Sequence, residues 1–287
     1  MTKYEPVPLV YNLVEPDGGA TDKPPVIILH GLTASKEYWY DIPKTVANAT
    51  KRKVYVLDSR NHGDSPWSDV FNFDCNVDDL LHFMDTIKTP KAILIGHSMG
   101  GITSIKTALR APERVEKAVI EDMTVSKVNA QIIEMIYNKI GLARKALEVM
   151  PTGLDEKSAR LFIIDFIIEA LPPEAKQYVR FDENGYMIPL KKTEDGRYTF
   201  KSNINGLQNA VKNAEQSDET EKGRVFEGPI CFIYGKLSPF QVSKDEEVIK
   251  KVFPNAELVG VEGATHTVHN DCPAEFKETV LNFLLKE

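Results

Sequence analysis

The chain has 287 residues, of which 42% are hydrophobic and 27% charged, so it can bury a core and is not an intrinsically disordered chain. Its formal net charge of -7 excludes nucleic acid as an expected partner, because that binding depends on clustered Lys and Arg. Its 3 cysteines are widely separated and give neither a disulfide framework nor a zinc motif, and no apolar segment is long enough to span a membrane.

The first residues of the chain lack the long apolar stretch of a signal peptide and the Arg-rich character of a transit peptide. The sequence therefore predicts a cytoplasmic protein, or a mitochondrial one if a presequence has been removed. No residue pattern specifies an oligomeric state.

Short apolar runs rich in β-branched residues recur along the chain and predict buried parallel strands, because strands covered on both faces are apolar throughout. These runs are residues 26–29, 54–57, 92–95, 118–120, 230–234 and 258–261. Residues 7–14 come before them and predict antiparallel strands at the sheet edge, where Pro8 is tolerated.

Amphipathic helical patterns separate the predicted strands. One helical face is formed by Val77, Leu80, Leu81, Met84 and Ile87, and a second helix is predicted over 102–110, ending before Pro112. Strands that alternate with helices in this way predict an α/β fold with a mostly parallel, doubly wound sheet.

From about residue 125 the pattern changes to helices without intervening strands. Helices are predicted from residue 131, over 159–171 and over 205–214, with a hairpin that pairs 187–190 with 197–201 around an Asp-Gly turn. Because the strand–helix alternation resumes at 230, residues 125–214 are predicted to be a mainly helical cap inserted into one core formed by 1–124 and 215–287.

The stretch Gly96-His97-Ser98-Met99-Gly100-Gly101 joins a predicted strand to a predicted helix and matches the G-x-S-x-G pattern of a nucleophile elbow. Such a turn exposes the serine hydroxyl above the carboxyl edge of the sheet, and its glycines let the two backbones approach closely. The amide of Met99 would then stand at a helix N-terminus, where it can stabilise negative charge. The motif alone also fits an ordinary glycine-rich turn.

Two further segments favour catalysis over an ordinary turn. Leu32 follows His30-Gly31 at the end of the first parallel strand, so its amide is a second candidate donor for an oxyanion hole. His266 and His269 lie in a loop after the last strand, where the base of a Ser–acid–His triad is expected in chain order. Their H-x-x-H spacing lacks a third ligand and does not favour a metal site.

Together these motifs resemble the α/β-hydrolases, in particular the branch of abhydrolase-domain acylglycerol lipases and small bacterial esterases. The matching stretches are residues 30–35, 58–66, 96–101, 113–115 and 264–269, and D-x-R-N-H-G-x-S-P at 58–66 is the most specific to that branch. The resemblance covers essentially the whole chain. It implies the α/β-hydrolase fold with Ser98 as nucleophile and His266 as base, and His269 as a neighbour that shapes the loop.

The motifs leave open which residue is the acid of the triad. Many relatives of this kind carry an aspartate where this chain has Ser238, and a serine hydroxyl cannot stabilise an imidazolium. The resemblance implies the end of the preceding strand as a second source, which gives Asp122 as the first candidate and Glu121 as the second. Asp245 is the third candidate.

The predicted function is hydrolysis of carboxylic esters, acylglycerols or other small acyl esters, through an acyl-enzyme on Ser98, with thioesters as further substrates. This reaction needs no cofactor and no metal. The alternative is a receptor or carrier with the same fold and little or no turnover, because a fold does not fix a function. The remaining histidines, His62, His82 and His97, are predicted to be structural or exposed, and the apolar helices after 125 to form a wall for the acyl chain.

Overall fold

A computed structural model describes residues 4–176, 185, 187–213 and 223–286. Its strands are β1 (Tyr11–Val14), β2 (Val26–Leu29), β3 (Val54–Leu57), β4 (Ala92–His97), β5 (Val115–Glu121), β6 (Leu190–Lys192), β7 (Tyr198–Phe200), β8 (Ile230–Gly235) and β9 (Ala256–Val261). Within the described residues, 7 of these strands form one sheet in the order β1-β3-β2-β4-β5-β8-β9. Only β1 runs antiparallel to its neighbour in this sheet, so the predicted mostly parallel sheet is confirmed.

The helices are α1 (Ile42–Thr50), α2 (Phe73–Thr86), α3 (Met99–Arg110), α4 (Ala130–Glu148), α5 (Glu156–Ala170), α6 (Pro173–Lys176), α7 (Ile204–Asn213), α8 (Glu246–Val252), α9 (Val268–Asp271) and α10 (Pro273–Leu285). Among these described helices, none is both long enough and apolar enough to cross a lipid bilayer.

Helices cover both faces of the sheet because alternate side chains of each strand point to opposite sides. In β2, Ile27 and Leu29 pack with α2, α3 and α8, whereas Val26 and Ile28 pack with α1 and α10. All four side chains are at most 2% exposed, which explains why this strand is apolar throughout.

Helices α3 and α5 each start three residues earlier than the sequence pattern predicts. Helix α3 begins at Met99 rather than at 102, because the turn at Ser98 leads directly into the helix and the following glycines belong to its first turn. Helix α2 begins at Phe73, where the side chain of Asn72 caps it by accepting a hydrogen bond of 3.0 Å from the Cys75 amide.

Between β5 and β8 the chain forms α4 to α7 and the β6–β7 hairpin, which have an apolar cluster of their own. The predicted helices and hairpin are present, although the first hairpin strand, Leu190–Lys192, lies two to three residues later than predicted, and the second, Tyr198–Phe200, lies within the predicted range. The predicted boundary at 214–215 lies outside the described residues, and the division into a core and a cap over 125–214 remains a prediction.

The turn over 58–66 contacts the inserted segment near the start of α7. The Asn203 amide donates a hydrogen bond of 2.8 Å to the Asn61 carbonyl, and the ammonium of Lys201 lies 2.9 Å from the Asp64 carboxylate. The indole of Trp67 donates to the Lys201 carbonyl at 3.1 Å. The motif most specific to the resembled branch thus contacts the segment between β5 and β8.

Candidate active site

Ser98 stands at the sharp turn between β4 and α3, with φ 51° and ψ −111°. This positive φ is costly for a residue with a Cβ and indicates stored backbone strain. The neighbouring glycines make the turn possible: an added Cβ on Gly96 would lie 2.2 Å from the Gly100 carbonyl oxygen, and one on Gly100 would lie 2.3 Å from that of Leu29. The predicted strand–turn–helix geometry is therefore present at Ser98.

The structure brings Ser98 and His266 together although they are 168 residues apart in the chain. The Ser98 hydroxyl donates to Nε2 of His266 at 3.0 Å, and Nδ1–H of His266 donates to Oδ2 of Asp122 at 2.6 Å. The carboxylate can only accept, which assigns the proton on the ring to Nδ1 and leaves Nε2 free to take a proton from the serine.

Asp122 follows β5 in a left-handed conformation, with φ 47°, and its side chain is fully buried. Besides His266, the Gly235 amide donates to Oδ1 at 3.0 Å and the Ser238 hydroxyl donates to Oδ2. Burial raises the pKa of Asp122 above its usual range, although these hydrogen bonds act in the opposite direction. Ser238, which stands where an aspartate is common, thus serves as a hydrogen-bond donor to the acid.

The two other candidates for the acid have different partners. Glu121 is fully buried and accepts from Nδ1–H of His269, with both carboxylate oxygens at 2.8 Å. Burial alone would raise the pKa of Glu121, but the electrostatic attraction and the hydrogen bonds of the neighbouring His269 outweigh it and lower this pKa. Asp245 accepts from the hydroxyl of Thr124 at 2.6 Å. The structure thus places neither of them on His266.

Two aromatic side chains, Phe240 and His97, contact His266. Phe240 stacks on the imidazole with ring centroids 4.2 Å apart and an interplanar angle of 11°. Nε2–H of His97 donates to the backbone carbonyl of His266 at 2.9 Å. Burial lowers the pKa of His97 to about 3, so this side chain stays neutral and packs, as predicted. The sequence carried no signal for Phe240, because this contact depends on the loop after β8.

His62 and His82 are the two other histidines predicted to be structural or exposed. His62 is buried in the 58–66 turn, where its Nδ1–H donates to the Arg60 carbonyl at 2.8 Å and its Nε2 accepts from the Thr33 amide at 3.2 Å. Burial lowers the pKa of His62 to about 3, which keeps it neutral. His82 is exposed on α2. Both predictions for these side chains agree with the structure.

The amides of Leu32 and Met99 are the two candidate donors near Ser98. Met99 is the first residue of α3, and an added Cβ on Gly31, next to Leu32, would lie 3.4 Å from Cβ of Ser98. Neither amide has a hydrogen-bond acceptor among the described residues. Both are therefore free to donate to an anion, and their role in an oxyanion hole remains a prediction.

Ser98 and His266 open into a cavity of about 120 Å³. Its described lining comes partly from the loop after β2 and partly from the inserted segment, whose apolar contribution is Ile136, Ile140, Ala143, Ile167, Met187, Ile188, Phe200 and Ile204. The serine hydroxyl thus faces a mostly apolar space.

Comparisons with known proteins agree with this architecture. A model of the alpha/beta hydrolase fold matches residues 24–140. The sn-1-specific diacylglycerol lipase ABHD11 of Danio rerio is 30% identical over 99% of this chain and 84% of its own length. The chain belongs to the α/β-hydrolase family. Another relative in this family, ethanol acetyltransferase 1 of Eremothecium cymbalariae, is 30% identical over 97% of this chain and 81% of its own length.

A solved α/β-hydrolase structure, described as a marine microorganism esterase, superimposes with a TM-score of 0.78 at 27% identity and covers 96% of this chain and 99% of its own. The resemblance read from the motifs and the α/β-hydrolase fold are thereby confirmed. In the described part of this α/β-hydrolase, no three His, Cys, Asp or Glu side chains cluster in a way that could hold a metal ion.

Proposed function

We propose that the protein is a serine hydrolase that cleaves carboxylic esters through an acyl-enzyme on Ser98. The observation that carries this proposal is the continuous chain of hydrogen bonds from Ser98 through His266 to the buried carboxylate of Asp122, beside an apolar cavity. A nucleophile, a base and a group that orients the base are the three parts that acyl transfer requires.

In the first step the Ser98 oxygen attacks the ester carbonyl carbon while Nε2 of His266 takes the hydroxyl proton. The negative charge that develops on the carbonyl oxygen accepts hydrogen bonds from the amides of Leu32 and Met99. The imidazolium formed on His266 is stabilised by Asp122, which accepts its Nδ1–H at 2.6 Å.

In the second half the tetrahedral intermediate collapses, the bond to the leaving oxygen breaks, and His266 gives its proton to the departing alcohol. The acyl group stays on Ser98 as an ester. A water molecule then attacks this ester as His266 takes one of its protons, and the carboxylic acid leaves with the Ser98 hydroxyl restored.

The inserted segment, predicted as a cap over 125–214, supplies the apolar wall for the acyl group in this proposal. The cavity of about 120 Å³ is similar to the engineered cavity of about 150 Å³ that holds benzene, which favours a short acyl group in its enclosed part. The names of the relatives, a diacylglycerol lipase and an esterase, support an ester as the substrate.

The alternative of a binding protein without turnover arose from the serine at position 238. Asp122 weakens that alternative, because it offers His266 the carboxylate that Ser238 does not provide. No metal and no cofactor take part in the proposed reaction.

A fluorophosphonate probe and p-nitrophenyl butyrate test the proposal. We expect wild type to be labelled and to turn over the ester, and Ser98→Ala to abolish labelling and lower kcat on the order of 10⁴-fold or more. Ser158→Ala, at an exposed serine on α5, is the matched control and should leave both unchanged. A wild-type protein that is neither labelled nor active on any acyl ester would favour the binding protein instead.

A further inference from the structure

The wall of the cavity above Ser98 contains one lysine. Lys139 lies on α4 between the apolar residues Ile136 and Ile140, which line the same cavity. Among the described lining residues, Lys139 is the only one with a formal charge if the histidines are neutral. A wall that served only an alkyl chain would not need an ammonium group at this position.

Lys139 differs in its ionic partners from two buried lysines of this chain, Lys36 and Lys106. Lys36 contacts the carboxylates of Asp58 and Asp64 at 2.6 and 2.8 Å, and Lys106 lies 3.4 Å from Asp74. Lys139 has no hydrogen bond or ion pair with any described residue. Lys36 and Lys106 are thus paired with carboxylates of the chain itself, whereas no described carboxylate pairs with Lys139 in the cavity wall.

The surroundings of Lys36 and Lys139 act on their pKa values in opposite directions. Burial works against the charged form of Lys36, but its carboxylate partners raise its pKa above the usual value. For Lys139 burial alone acts, and it lowers the pKa. An anion placed in the cavity would therefore stabilise the charged form of Lys139, as Asp58 does for Lys36.

We propose that Lys139 is a specificity-determining residue that pairs with an anionic group, a carboxylate or a phosphate, carried by the ester substrate. The inference rests on the proposed ester hydrolysis and narrows its substrate class from neutral acyl esters to acidic ones. The anionic group can belong to the acyl half or to the alcohol half of the ester, and substrates matched in size separate the two.

Two pairs of esters make the test. In the first pair, mono-p-nitrophenyl glutarate and p-nitrophenyl valerate differ by a carboxylate on the acyl half. In the second, 4-carboxyphenyl butyrate and phenyl butyrate differ by a carboxylate on the alcohol half. The ratio of kcat/KM between the members of each pair, corrected for their rates of hydrolysis in buffer, measures the preference for the anion.

We expect wild type to prefer the anionic member of one pair, and that pair identifies the half that carries the charge. Lys139→Met should lower kcat/KM at least about tenfold for that anionic ester and change the neutral ester less than about threefold, because only the anion loses a charged hydrogen bond. Lys139→Arg should retain most of the preference. Lys145→Met, at an exposed lysine on the same helix, should behave as wild type.

The results separate this inference from the proposal on which it rests. If wild type hydrolyses the neutral esters and prefers neither anionic one, or if Lys139→Met lowers both members of a pair equally with an unchanged melting temperature, the role of Lys139 is refuted while the esterase stands. If wild type hydrolyses none of the four esters and is not labelled by fluorophosphonate, the esterase proposal fails and the inference fails with it.

Discussion

The end of β5 carries two histidine–carboxylate pairs that differ sharply in their surroundings. Asp122 binds His266, which is partly exposed to the cavity and accepts from Ser98. Glu121, the preceding residue, binds His269 in a region where both side chains are fully buried. Two similar chemical pairs therefore stand next to each other, one open to substrate and one closed.

Packing explains the difference between the two pairs. The imidazole of His269 stacks on Trp39 with centroids 4.6 Å apart, and Tyr38 and Phe276 meet its ring edge-on. The Glu121 carboxylate also accepts from the His269 amide at 2.8 Å, which fixes the loop that carries His266. We interpret the closed pair as support for the loop and the open pair as the chemical site.

Among changes to the two histidine–carboxylate pairs, Asp122→Asn should have the largest effect on rate. The amide cannot stabilise an imidazolium and favours the wrong ring tautomer, so we expect kcat to fall about 10³- to 10⁴-fold with little change in melting temperature. Glu121→Gln is the matched change in the closed pair and should leave kcat per folded molecule within about threefold. A near-normal rate for Asp122→Asn on p-nitrophenyl butyrate would assign the acid to another residue.

Breaking the closed pair should mainly affect stability. His269→Ala leaves the buried Glu121 carboxylate without its main hydrogen-bond partner, and we expect the free energy of unfolding in urea to fall by about 3–5 kcal/mol. The double variant Glu121→Gln/His269→Gln should lose less than the sum of the single variants Glu121→Gln and His269→Gln, because the double variant leaves no buried carboxylate without its partner. Additive losses would show that the two side chains do not interact.

Lowering the pH should affect the two histidine–carboxylate pairs in a fixed order. Burial raises the pKa of Asp122, so this carboxylate takes up a proton at higher pH than an ordinary aspartate and stops supporting the imidazolium. The pKa of Glu121 is lowered, so its stabilising contribution is present above its unfolded value of 4.5 and is lost only as pH falls through the lower folded value.

As the pH is lowered from neutral to about 3, the fall in kcat/KM should therefore begin at a higher pH than the fall in the urea midpoint of unfolding. A urea midpoint that falls first would contradict the order of the two pKa values.

The smallest expected effect is at Ser238. Ser238→Ala removes one of the donors to Asp122 but leaves the Gly235 amide and His266 in place. One hydrogen bond of about 1 kcal/mol corresponds to roughly a fivefold lower kcat. Steady-state kinetics beside the Ser158→Ala control would measure it. An unchanged kcat would mean that the other two contacts suffice to hold the carboxylate.

Much of the fold could be read from short-range patterns. The apolar runs of the central strands and the glycines around Ser98 are local features, because a buried parallel strand and a tight strand-to-helix turn each restrict the residues within a few positions. The predicted start of α3 was less accurate, because the first glycines of this helix fit a turn as well as a helix. The limits of the cap remain a prediction.

The sequence by itself determined the parallel sheet, the elbow at Ser98 and, through the resemblance to α/β-hydrolases, His266 as the candidate base. Only the tertiary structure decided which of three carboxylates meets His266, that Ser238 donates to it, and that Lys139 faces the cavity without a partner. The physical reason is distance along the chain. Glu121 and Asp122 are neighbours in sequence. Only the packing of loops more than 100 residues away along the chain pairs Glu121 with the buried His269 and Asp122 with His266 in the site.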